Sequence, residues 1–351
     1  MPDAASSSRS AVTSRSLTPP LTVGVVGATG NVGTVMLDVL AERGIPIGTL
    51  RAFASERSAG RTVSSGEHSA VVEDLATADF SGLDVALFSA GAERARQYAQ
   101  RCVDAGCIVI DNSSAFRMDP AVPLVVPEVN AHALRTHRGI IANPNCSTIQ
   151  LVVALAPIHE AAGLARVSVT TFQSVSGTGK AAMDELDEQV RAVAAGEAPS
   201  NEIYPHQIAA NVLPHCDVFD SDGVTKEEQK LVDESRKIMG LADLRIWATC
   251  TRVPVRVGHS ESVHLETQQP LSPSSARDIL RAAPGVVVVD NPSANEYPMA
   301  IDVEGRDEVL VGRIRRDPSA DNGLAMFVVG DNLRKGAATN AVQILEALLS
   351  T

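Results

Sequence analysis

One cysteine stands where an apolar segment ends and a helical pattern begins. In GIIANPNCSTIQLVVAL, residues 139–155, Cys146 follows Asn-Pro-Asn. The first turn of a helix carries roughly half a positive charge, which favours the ionised thiol, and the thiolate is the reactive form. The alternative is a buried structural thiol, the usual fate of a free cysteine. We interpret Cys146 as a nucleophile that ionises readily. The other four cysteines fit the structural role: Cys102, Cys107, Cys216 and Cys250.

A second chemical signal is a glycine-rich turn near the N-terminus. In VGVVGATGNVG, Gly27, Gly30 and Gly33 separate a buried-strand pattern, residues 21–28, from the helical pattern NVGTVMLDVLAERG. Glycines in this setting let the backbone approach a pyrophosphate, whose charge sits at the helix N-terminus. The pattern predicts a dinucleotide site. The alternative is a tight turn that only packs the helix against the strand.

The segment ASERSAGR, at the end of the next strand pattern, bears on the choice of dinucleotide. An acid at this point takes the ribose diol of NAD, and Glu56 is available for that role. Arg57, flanked by Ser55 and Ser58, offers a fixed positive charge and hydroxyl donors for the 2′-phosphate of NADP. We therefore expect NADP, with an ordinary polar loop as the alternative.

A thiol and a nicotinamide site together indicate one chemistry. The thiolate adds to an aldehyde, hydride leaves to the nicotinamide, and the resulting thioester is broken by water, phosphate or coenzyme A. Such a reaction needs a base, which is usually histidine. His259 follows Gly258 where a strand pattern breaks, and His264 comes soon after it, so the residue pattern leaves both open.

Composition limits the class of protein. The 351 residues carry a formal net charge of −12, which argues against nucleic acid and anionic membranes as partners. No apolar run approaches the ~18 residues of a membrane span. Five scattered cysteines without zinc-ligand spacing predict neither a disulfide framework nor a metal site. Residues 1–20 lack the apolar core of a secretory signal. Their Ser and Arg content allows a weak organelle-transit interpretation, but we favour a disordered polar tail on a cytoplasmic protein.

The elements that must hold these groups fall into two patterns. Between residues 21 and 144, strand and helix patterns alternate, which predicts a parallel sheet with helices on both faces. After a long helix at 147–162, strand candidates with few helices indicate a mostly antiparallel sheet. Two later segments read as amphipathic helices. They are KAAMDELDEQVRAV, whose apolar stripe includes Leu186, Val190 and Val193, and the C-terminal GAATNAVQILEALL.

Seven motifs stand in the order in which they occur in aspartate-β-semialdehyde dehydrogenases, and the chain resembles that family from about residue 21 to its C-terminus. They are GATGNVG, ASERSAG, NSSAFRMD, NPNCST, FQSVSGTG, RVPVRVGHS and DNLRKGAATNAVQI. The resemblance implies an α/β fold of the glyceraldehyde-3-phosphate dehydrogenase type. A Rossmann-type parallel-sheet NADP-binding domain is joined to an α+β substrate-binding and dimerisation domain. The implied division is a disordered tail at 1–20, a dinucleotide-binding domain at 21–145 with 331–351, and a substrate-binding and dimerisation domain at 146–330.

The resemblance also assigns roles to single residues. Cys146 is the implied nucleophile and Gln173 orients the substrate at the thioester. His259, in the GHS motif, is the implied acid/base and is thereby preferred to His264. The implied substrate contacts are Arg252 for the carboxylate, Glu227 for the amino group, Lys230 and Arg117 for the phosphate, and Asn112 as a further contact. The implied cofactor contacts are Gly27, Thr29, Gly30, Asn31, Val32, Arg57, Ser58, Ser176, Gly177 and Asn332.

The activity implied by the resemblance is that of an NADP-dependent phosphorylating aldehyde dehydrogenase. Members of the family interconvert L-aspartyl 4-phosphate and L-aspartate 4-semialdehyde, with NADPH and release of phosphate in the biosynthetic direction. They serve lysine (through diaminopimelate), methionine and threonine synthesis. The implied partners are small-molecule substrates and further copies of the chain, as a homodimer or a dimer of dimers.

Three rival interpretations are open. An N-acetyl-γ-glutamyl-phosphate reductase would share fold, thiol chemistry and cofactor, but its cysteine motif reads NPGCYPT, against NPNCSTIQ here. A non-catalytic NADP-binding paralogue is disfavoured because Cys146, Gln173, Arg252 and His259 are all present. A thiol hydrolase without a cofactor is disfavoured by the glycine turn.

Overall fold

The computed structural model describes residues 17–350. Most of the expected polar tail, residues 1–16, therefore lies outside the described residues. Within them, Leu17 is only 8% exposed and packs into the core of the first sheet, so the ordered chain begins before residue 21. No helix in the described part is both long enough and apolar enough to cross a membrane.

The first sheet is built from the N-terminal strands. They are β1 (Leu21–Val26), β2 (Ile47–Ala54), β3 (Thr62–Ser65), β4 (His68–Asp74), β5 (Val85–Phe88), β6 (Ile108–Asp111) and β7 (Ile140–Ala142). Their order is β3-β4-β2-β1-β5-β6-β7, and neighbours run parallel except in the hairpin β3–β4. The central strands β5 and β6 are buried at every position, as a parallel sheet covered on both faces requires. The predicted parallel sheet is confirmed.

The second sheet is built from the later strands. They are β8 (Leu164–Gln173), β9 (Arg245–Arg252), β10 (His259–Thr267), β11 (Val286–Val288), β12 (Val309–Arg316) and β13 (Gly323–Gly330). Their order is β11-β12-β13-β10-β8-β9. The pairs β8–β10, β10–β13 and β12–β13 are antiparallel, whereas β8–β9 and β11–β12 are parallel. The sheet is mostly antiparallel, as predicted.

Helices cover both sheets. They are α1 (Asn31–Glu42), α2 (Ala92–Asp104), α3 (Pro127–Asn130), α4 (Cys146–Ala162), α5 (Lys180–Ala195), α6 (Lys226–Met239), α7 (Pro273–Ala282) and α8 (Thr339–Leu349). The helix α4 is apolar on most of its circumference and packs with α6 and α7 into the core of the second sheet. A π-helical turn, Arg334–Ala338, leads into α8, which joins α1 and β1 in the core of the first sheet.

The apolar stripe expected on α5 is buried only in its N-terminal half. Leu186 is buried, but Val190 and Val193 are 52% and 41% exposed. The helix instead turns Glu185 and Gln189 inward. There they accept backbone N–H groups of residues 202–204 and 208–209, respectively. Without Glu185 and Gln189 these loop N–H groups would have no acceptor. They set the orientation of α5, because leaving them unsatisfied would cost more free energy than exposing two valines.

Candidate active site

The turn between β1 and α1 leaves no room for side chains at two of its glycines. A Cβ on Gly27, whose φ is +87°, would lie 2.5 Å from the carbonyl oxygen of Ser89. A Cβ on Gly33 would lie 2.1 Å from the carbonyl oxygen of Gly27. Gly30 is the N-cap of α1, and no side chain caps this helix. The turn therefore offers backbone N–H groups to an anion, as a pyrophosphate site requires.

The turn meets the end of β2. Thr29 Oγ1 lies 3.2 Å from Ser58 Oγ, so two of the predicted cofactor contacts are in hydrogen-bond range of each other. Arg57 and Glu56 both hold exposed side chains beside the buried Ser58. The residues predicted to bind the 2′-phosphate therefore lie at the glycine turn. Arg57 and Glu56 are exposed there side by side. Asn31, at the start of α1, reaches α5, where its Nδ2 lies 3.6 Å from the sulfur of Met183.

Cys146 is the first residue of α4, as the sequence predicted. Asn145 caps the helix, because its Oδ1 accepts the N–H groups of Ser147 at 3.0 Å and Thr148 at 3.4 Å. The side chain of Asn145 is itself held by Glu227, whose Oε1 accepts from Nδ2 at 2.9 Å. The residue before Cys146 is therefore held at both of its polar side-chain atoms.

The expectation that Cys146 ionises readily is wrong for the free protein. Burial, and then the neighbouring carboxylate of Glu227, raise the pKa of the thiol to about 12. Arg252 and Arg117 lower it by less. Desolvation and a like charge therefore outweigh the helix terminus, and the protonated thiol is the resting form.

His259 begins β10 and is fully buried. Its Nδ1 accepts the N–H of Ser174 at 3.1 Å, while Nε2 has no hydrogen-bond partner among the described residues. It lies directly behind Gly177, since a Cβ there would be 3.3 Å from Nε2. Burial, followed by the charge of Arg252, holds the pKa of His259 well below its usual value, so the ring is neutral. His264 lies half-exposed on the other face of β10.

Two adjacent strands end in predicted site residues. Gln173 and Arg252 are register partners at the ends of β8 and β9. Gln173 Nε2 donates to Ser147 Oγ at 3.0 Å and to Glu227 Oε1 at 3.1 Å. Arg252 donates from Nη1 to the carbonyl oxygen of Ser174 at 2.7 Å, while its buried Nε finds no partner in residues 17–350. The parallel pairing of β8 and β9 is what places the two side chains side by side.

Arg117 is held by three acceptors. Its Nε donates to the carbonyl oxygen of Asn143 at 2.9 Å, and Nη2 donates to that of Asn112 at 2.9 Å. Its Nη1 donates to Glu234 Oε1 at 3.1 Å. Each Nη atom carries a second hydrogen, so the fixed guanidinium still has donors for a ligand. Asn112 is tied into the same group, since its Oδ1 accepts from Asn143 Nδ2 at 2.6 Å.

Lys230 supplies the second positive charge. Its Nζ donates to Asp217 Oδ2 at 2.7 Å and to Glu227 Oε2 at 3.1 Å. Burial alone would raise the pKa of Glu227, but the charge of Lys230 and the hydrogen bonds from Asn145, Lys230 and Gln173 hold it below its usual value. Glu227 is therefore a buried carboxylate. Lys230 retains one N–H for a further acceptor.

Ser176 and Asn332, both predicted cofactor contacts, are buried and bonded to each other. Asn332 Oδ1 accepts from Ser174 Oγ at 3.0 Å, from Ser176 Oγ at 3.1 Å and from the N–H of Gly258 at 2.9 Å. These hydrogen bonds hold the segment that follows β13 against the loop after β8 and the start of β10.

One cleft of ≈ 450 Å³ collects most of these groups. The predicted residues that line it are Asn112, Arg117, Cys146, Gln173, Glu227, Lys230 and Arg252, with Val32, Ser176, Gly177 and Asn332 from the cofactor set. His259 does not line the cleft but lies behind Gly177. The other predicted cofactor residues lie outside its lining, at the glycine turn and the end of β2: Gly27, Thr29, Gly30, Asn31, Arg57 and Ser58.

Three residues that line the cleft or contact its lining residues were not singled out by the sequence analysis. Glu234 accepts from Arg117 and from the backbone N–H of Asn145. Ser174 holds the imidazole of His259. Gly336, in the π-helical turn, packs so closely on Cys146 that a Cβ would lie 2.9 Å from the cysteine Cβ. Ser174 and Gly336 lie within the motifs FQSVSGTG and DNLRKGAATNAVQI, whereas the only signal for Glu234 is that it follows Glu227 by two helical turns and so shares its face.

The remaining thiols behave as predicted. The other four cysteines are buried: Cys102, Cys107, Cys216 and Cys250. Burial raises the pKa of Cys102 and of Cys216 to about 12. In the described range, no three His, Cys, Asp or Glu side chains are arranged to hold a metal ion.

Two family models match the chain. The semialdehyde dehydrogenase NAD-binding domain matches residues 22–137, and the semialdehyde dehydrogenase dimerisation domain matches residues 155–335. Among curated proteins, the aspartate-semialdehyde dehydrogenase of Aquifex aeolicus is 54% identical over 331 residues, which cover 93% of this chain and 97% of the relative. That of Legionella pneumophila is 53% identical over 331 residues, with 93% and 95% covered.

Solved structures agree in fold. Aspartate semialdehyde dehydrogenase II from Vibrio cholerae superposes with a TM-score of 0.92 at 46% identity, covering 94% of this chain and 98% of that one. A second structure of the Vibrio cholerae enzyme, complexed with ASA, also has a TM-score of 0.92. The Candida albicans enzyme with NADP gives 0.74 at 26% identity, with 93% and 98% covered.

Proposed function

Because the chain belongs to the aspartate-semialdehyde dehydrogenase family and is thus an oxidoreductase acting on an aldehyde, we propose that it catalyses the NADPH-dependent reductive dephosphorylation of L-aspartyl 4-phosphate. The products are L-aspartate 4-semialdehyde and phosphate, and the intermediate is a thioester on Cys146. The observation that carries this proposal is the single cleft in which Cys146 lies with Gln173, two arginines and a buried carboxylate.

A nicotinamide cofactor fits the residues at the glycine turn. The close approaches at Gly27 and Gly33 make a cradle that any side chain would fill, and the uncapped start of α1 faces it. Arg57 and Ser58, beside Thr29, are the groups that would take a 2′-phosphate, which supports NADP over NAD. The bound cofactor supplies the hydride that reduces the thioester to the aldehyde.

The cleft matches the charges of the substrate. The Nε of Arg252 has no partner within the described residues, and a guanidinium edge is suited to bidentate binding of a carboxylate. The Glu227 carboxylate is available to the substrate ammonium group. Arg117 and Lys230 keep spare donors for the phosphate. These local positive charges offset the acidic character of the whole chain.

The geometry of His259 supports an acid/base role. Since Nδ1 accepts the N–H of Ser174, the neutral ring carries its hydrogen on Nε2, the unpaired atom. In this tautomer Nε2 donates a hydrogen bond or a proton to a substrate oxygen. In the other tautomer Nδ1–H donates to Ser174 Oγ, 3.0 Å away, and the Ser174 N–H gives up its contact with Nδ1; Nε2 is then a proton acceptor, the state in which it would take the proton of the Cys146 thiol. The backbone N–H of Ser174 is thus the partner of the first tautomer, and its hydroxyl oxygen is the partner of the second.

We extend the proposal to assembly and metabolic role. The matched dimerisation domain and the 54% exposed Trp247 on the edge strand β9 favour a homodimer or a dimer of dimers. The family relationship favours a cytoplasmic enzyme that serves lysine synthesis through diaminopimelate, together with methionine and threonine synthesis.

The deciding experiment is a spectrophotometric assay of the purified full chain. Aspartate semialdehyde and phosphate are supplied with NADP or NAD, and N-acetylglutamate semialdehyde is the parallel substrate. Phosphate-dependent reduction of NADP with aspartate semialdehyde alone is the expected result. Turnover of only the acetylated substrate would indicate N-acetyl-γ-glutamyl-phosphate reductase. Bound NADPH without turnover of either substrate would favour the non-catalytic paralogue.

The covalent step is tested with two matched variants. Cys146→Ala should abolish turnover while NADPH binding survives, because the thiol that forms the thioester is removed. Cys102→Ala removes a buried thiol from the core of the first sheet and should remain active. Turnover by Cys146→Ala would contradict the thioester mechanism.

A further inference from the structure

We propose that Glu234 of α6 is a positioning residue that holds the turn carrying Cys146 and the guanidinium of Arg117 in one fixed relation. Its side chain is 1% exposed and touches both groups. Oε1 accepts from Arg117 Nη1 at 3.1 Å, and Oε2 accepts from the backbone N–H of Asn145 at 2.6 Å. The assignment of Arg117 to the phosphate rests on the proposed function, whereas the contact with the nucleophile turn does not.

The helix α6 holds Asn145 through two hydrogen bonds. Glu227 and Glu234 lie two turns apart on the same face of the helix. Glu227 accepts from the side-chain amide of Asn145, and Glu234 accepts from its backbone N–H. Asn145 in turn caps α4. The position of the Cys146 Cα is therefore set by α6 as well as by its own helix.

Only an ionised carboxylate meets both partners. The N–H of Asn145 and the Nη1 of Arg117 are both donors, so each Glu234 oxygen must accept. In the isosteric Glu234→Gln, the amide nitrogen faces one donor or the other, whichever way the side chain is turned. One of the two contacts is then lost and a donor is left buried without an acceptor, which is costly in this setting.

The carboxylate of Glu234 also fixes the orientation of the Arg117 guanidinium. Its other two contacts are to backbone carbonyl oxygens, those of Asn112 and Asn143. Glu234 is the only carboxylate bonded to Arg117 in the described part of the chain. Through Glu234, the site for an anion and the site for the attacking sulfur are held by one side chain.

The test compares Glu234→Gln with Asp233→Asn in the full-length protein. Asp233 is the preceding residue on α6 and is only half-buried, so the control makes the same chemical change one position away. The first readout is the pH dependence of Cys146 alkylation by iodoacetamide, corrected with Cys146→Ala. The second is protection against alkylation by inorganic phosphate. The third is the phosphate KM and the kcat in the phosphorylating direction.

We expect Glu234→Gln to change the alkylation rate of Cys146 about tenfold or more. Phosphate protection should weaken, and the phosphate KM should rise, by a similar factor. The reason is that a lost contact of this kind is worth roughly 1.4 kcal/mol or more, which corresponds to about tenfold. Asp233→Asn should stay within about twofold of the wild type in all three, because the side chain of Asp233 points away from Asn145 and Arg117 on α6. If Glu234→Gln lowers stability but leaves alkylation and phosphate protection unchanged, the residue is merely structural and the proposal fails.

Two further comparisons keep the experiment decisive. If Glu234→Gln does not fold, Glu234→Asp keeps two acceptor oxygens but withdraws them by one methylene, so the same shifts are expected and unchanged values again overturn the proposal. If the wild type itself shows no turnover, the proposed function fails. The alkylation and protection measurements then still decide the role of Glu234, because they need no catalysis.

Discussion

Glu261 should make the stability of this protein fall as the pH rises. Its carboxyl group is fully buried on β10, on the same face as His259, and neither oxygen has a hydrogen-bond partner within residues 17–350. Burial raises the pKa of Glu261 well above its usual value, and the neighbouring Gln150 lowers it by less. The folded protein therefore holds a proton that the unfolded chain releases.

The sign and the size of the pH effect on stability follow from that proton. A raised pKa contributes stability that is fully present below the unfolded pKa, about 4.3, and is lost as the pH rises toward the folded pKa. In that window the slope is about 1.4 kcal/mol per pH unit. Glu261→Gln has nearly the same shape and cannot ionise. Above about pH 5.5, where the carboxyl group of the unfolded chain is already ionised, the wild type should therefore lose up to about 1.4 kcal/mol of stability per pH unit relative to the variant.

The assay is denaturant unfolding of both proteins at a series of pH values, with protein concentration and ionic strength held constant. Glu266→Gln is the control, because Glu266 lies on the same strand with its side chain on the opposite, half-exposed face. The stability difference between Glu261→Gln and the wild type should grow with pH, and the control should run parallel to the wild type. Parallel curves for all three proteins would refute the reasoning, since Glu261 would then titrate alike in both states.

Two further predictions concern the cleft and the cofactor. Gly336→Ala should lower kcat about tenfold or more, because the new Cβ would lie 2.9 Å from the Cys146 Cβ and must displace the proposed nucleophile by several tenths of an ångström; steady-state kinetics with unchanged kcat would contradict this. Arg57→Ala should raise the KM for NADPH roughly tenfold and leave that for NADH nearly unchanged, because only NADPH carries the 2′-phosphate; an equal loss for both would remove Arg57 from that contact.

The main elements could be predicted from the sequence because their signals are local. Apolar runs and helical periodicity gave the alternating strands and helices of the first sheet, and the Asn-Pro-Asn-Cys segment gave the start of α4. The failure on α5 has an equally local cause. Its stripe is buried at Leu186 but not at Val190 and Val193, because the inward face also carries Glu185 and Gln189, whose partners are N–H groups of a loop that periodicity does not describe.

What the sequence alone supplied was a prediction of which residues carry the chemistry: a thiol at a helix start, a glycine turn for an anion, and the motifs that hold a histidine, a glutamine and an arginine. Only the tertiary structure decided their state. Desolvation of the half-buried Cys146 and the nearby charge of Glu227 raise the pKa of its thiol, and together they outweigh the local effect of the helix terminus. Glu234 reaches Asn145 across 89 positions of the chain. Such contacts and the desolvation that accompanies them depend on packing between distant segments, which no local pattern encodes.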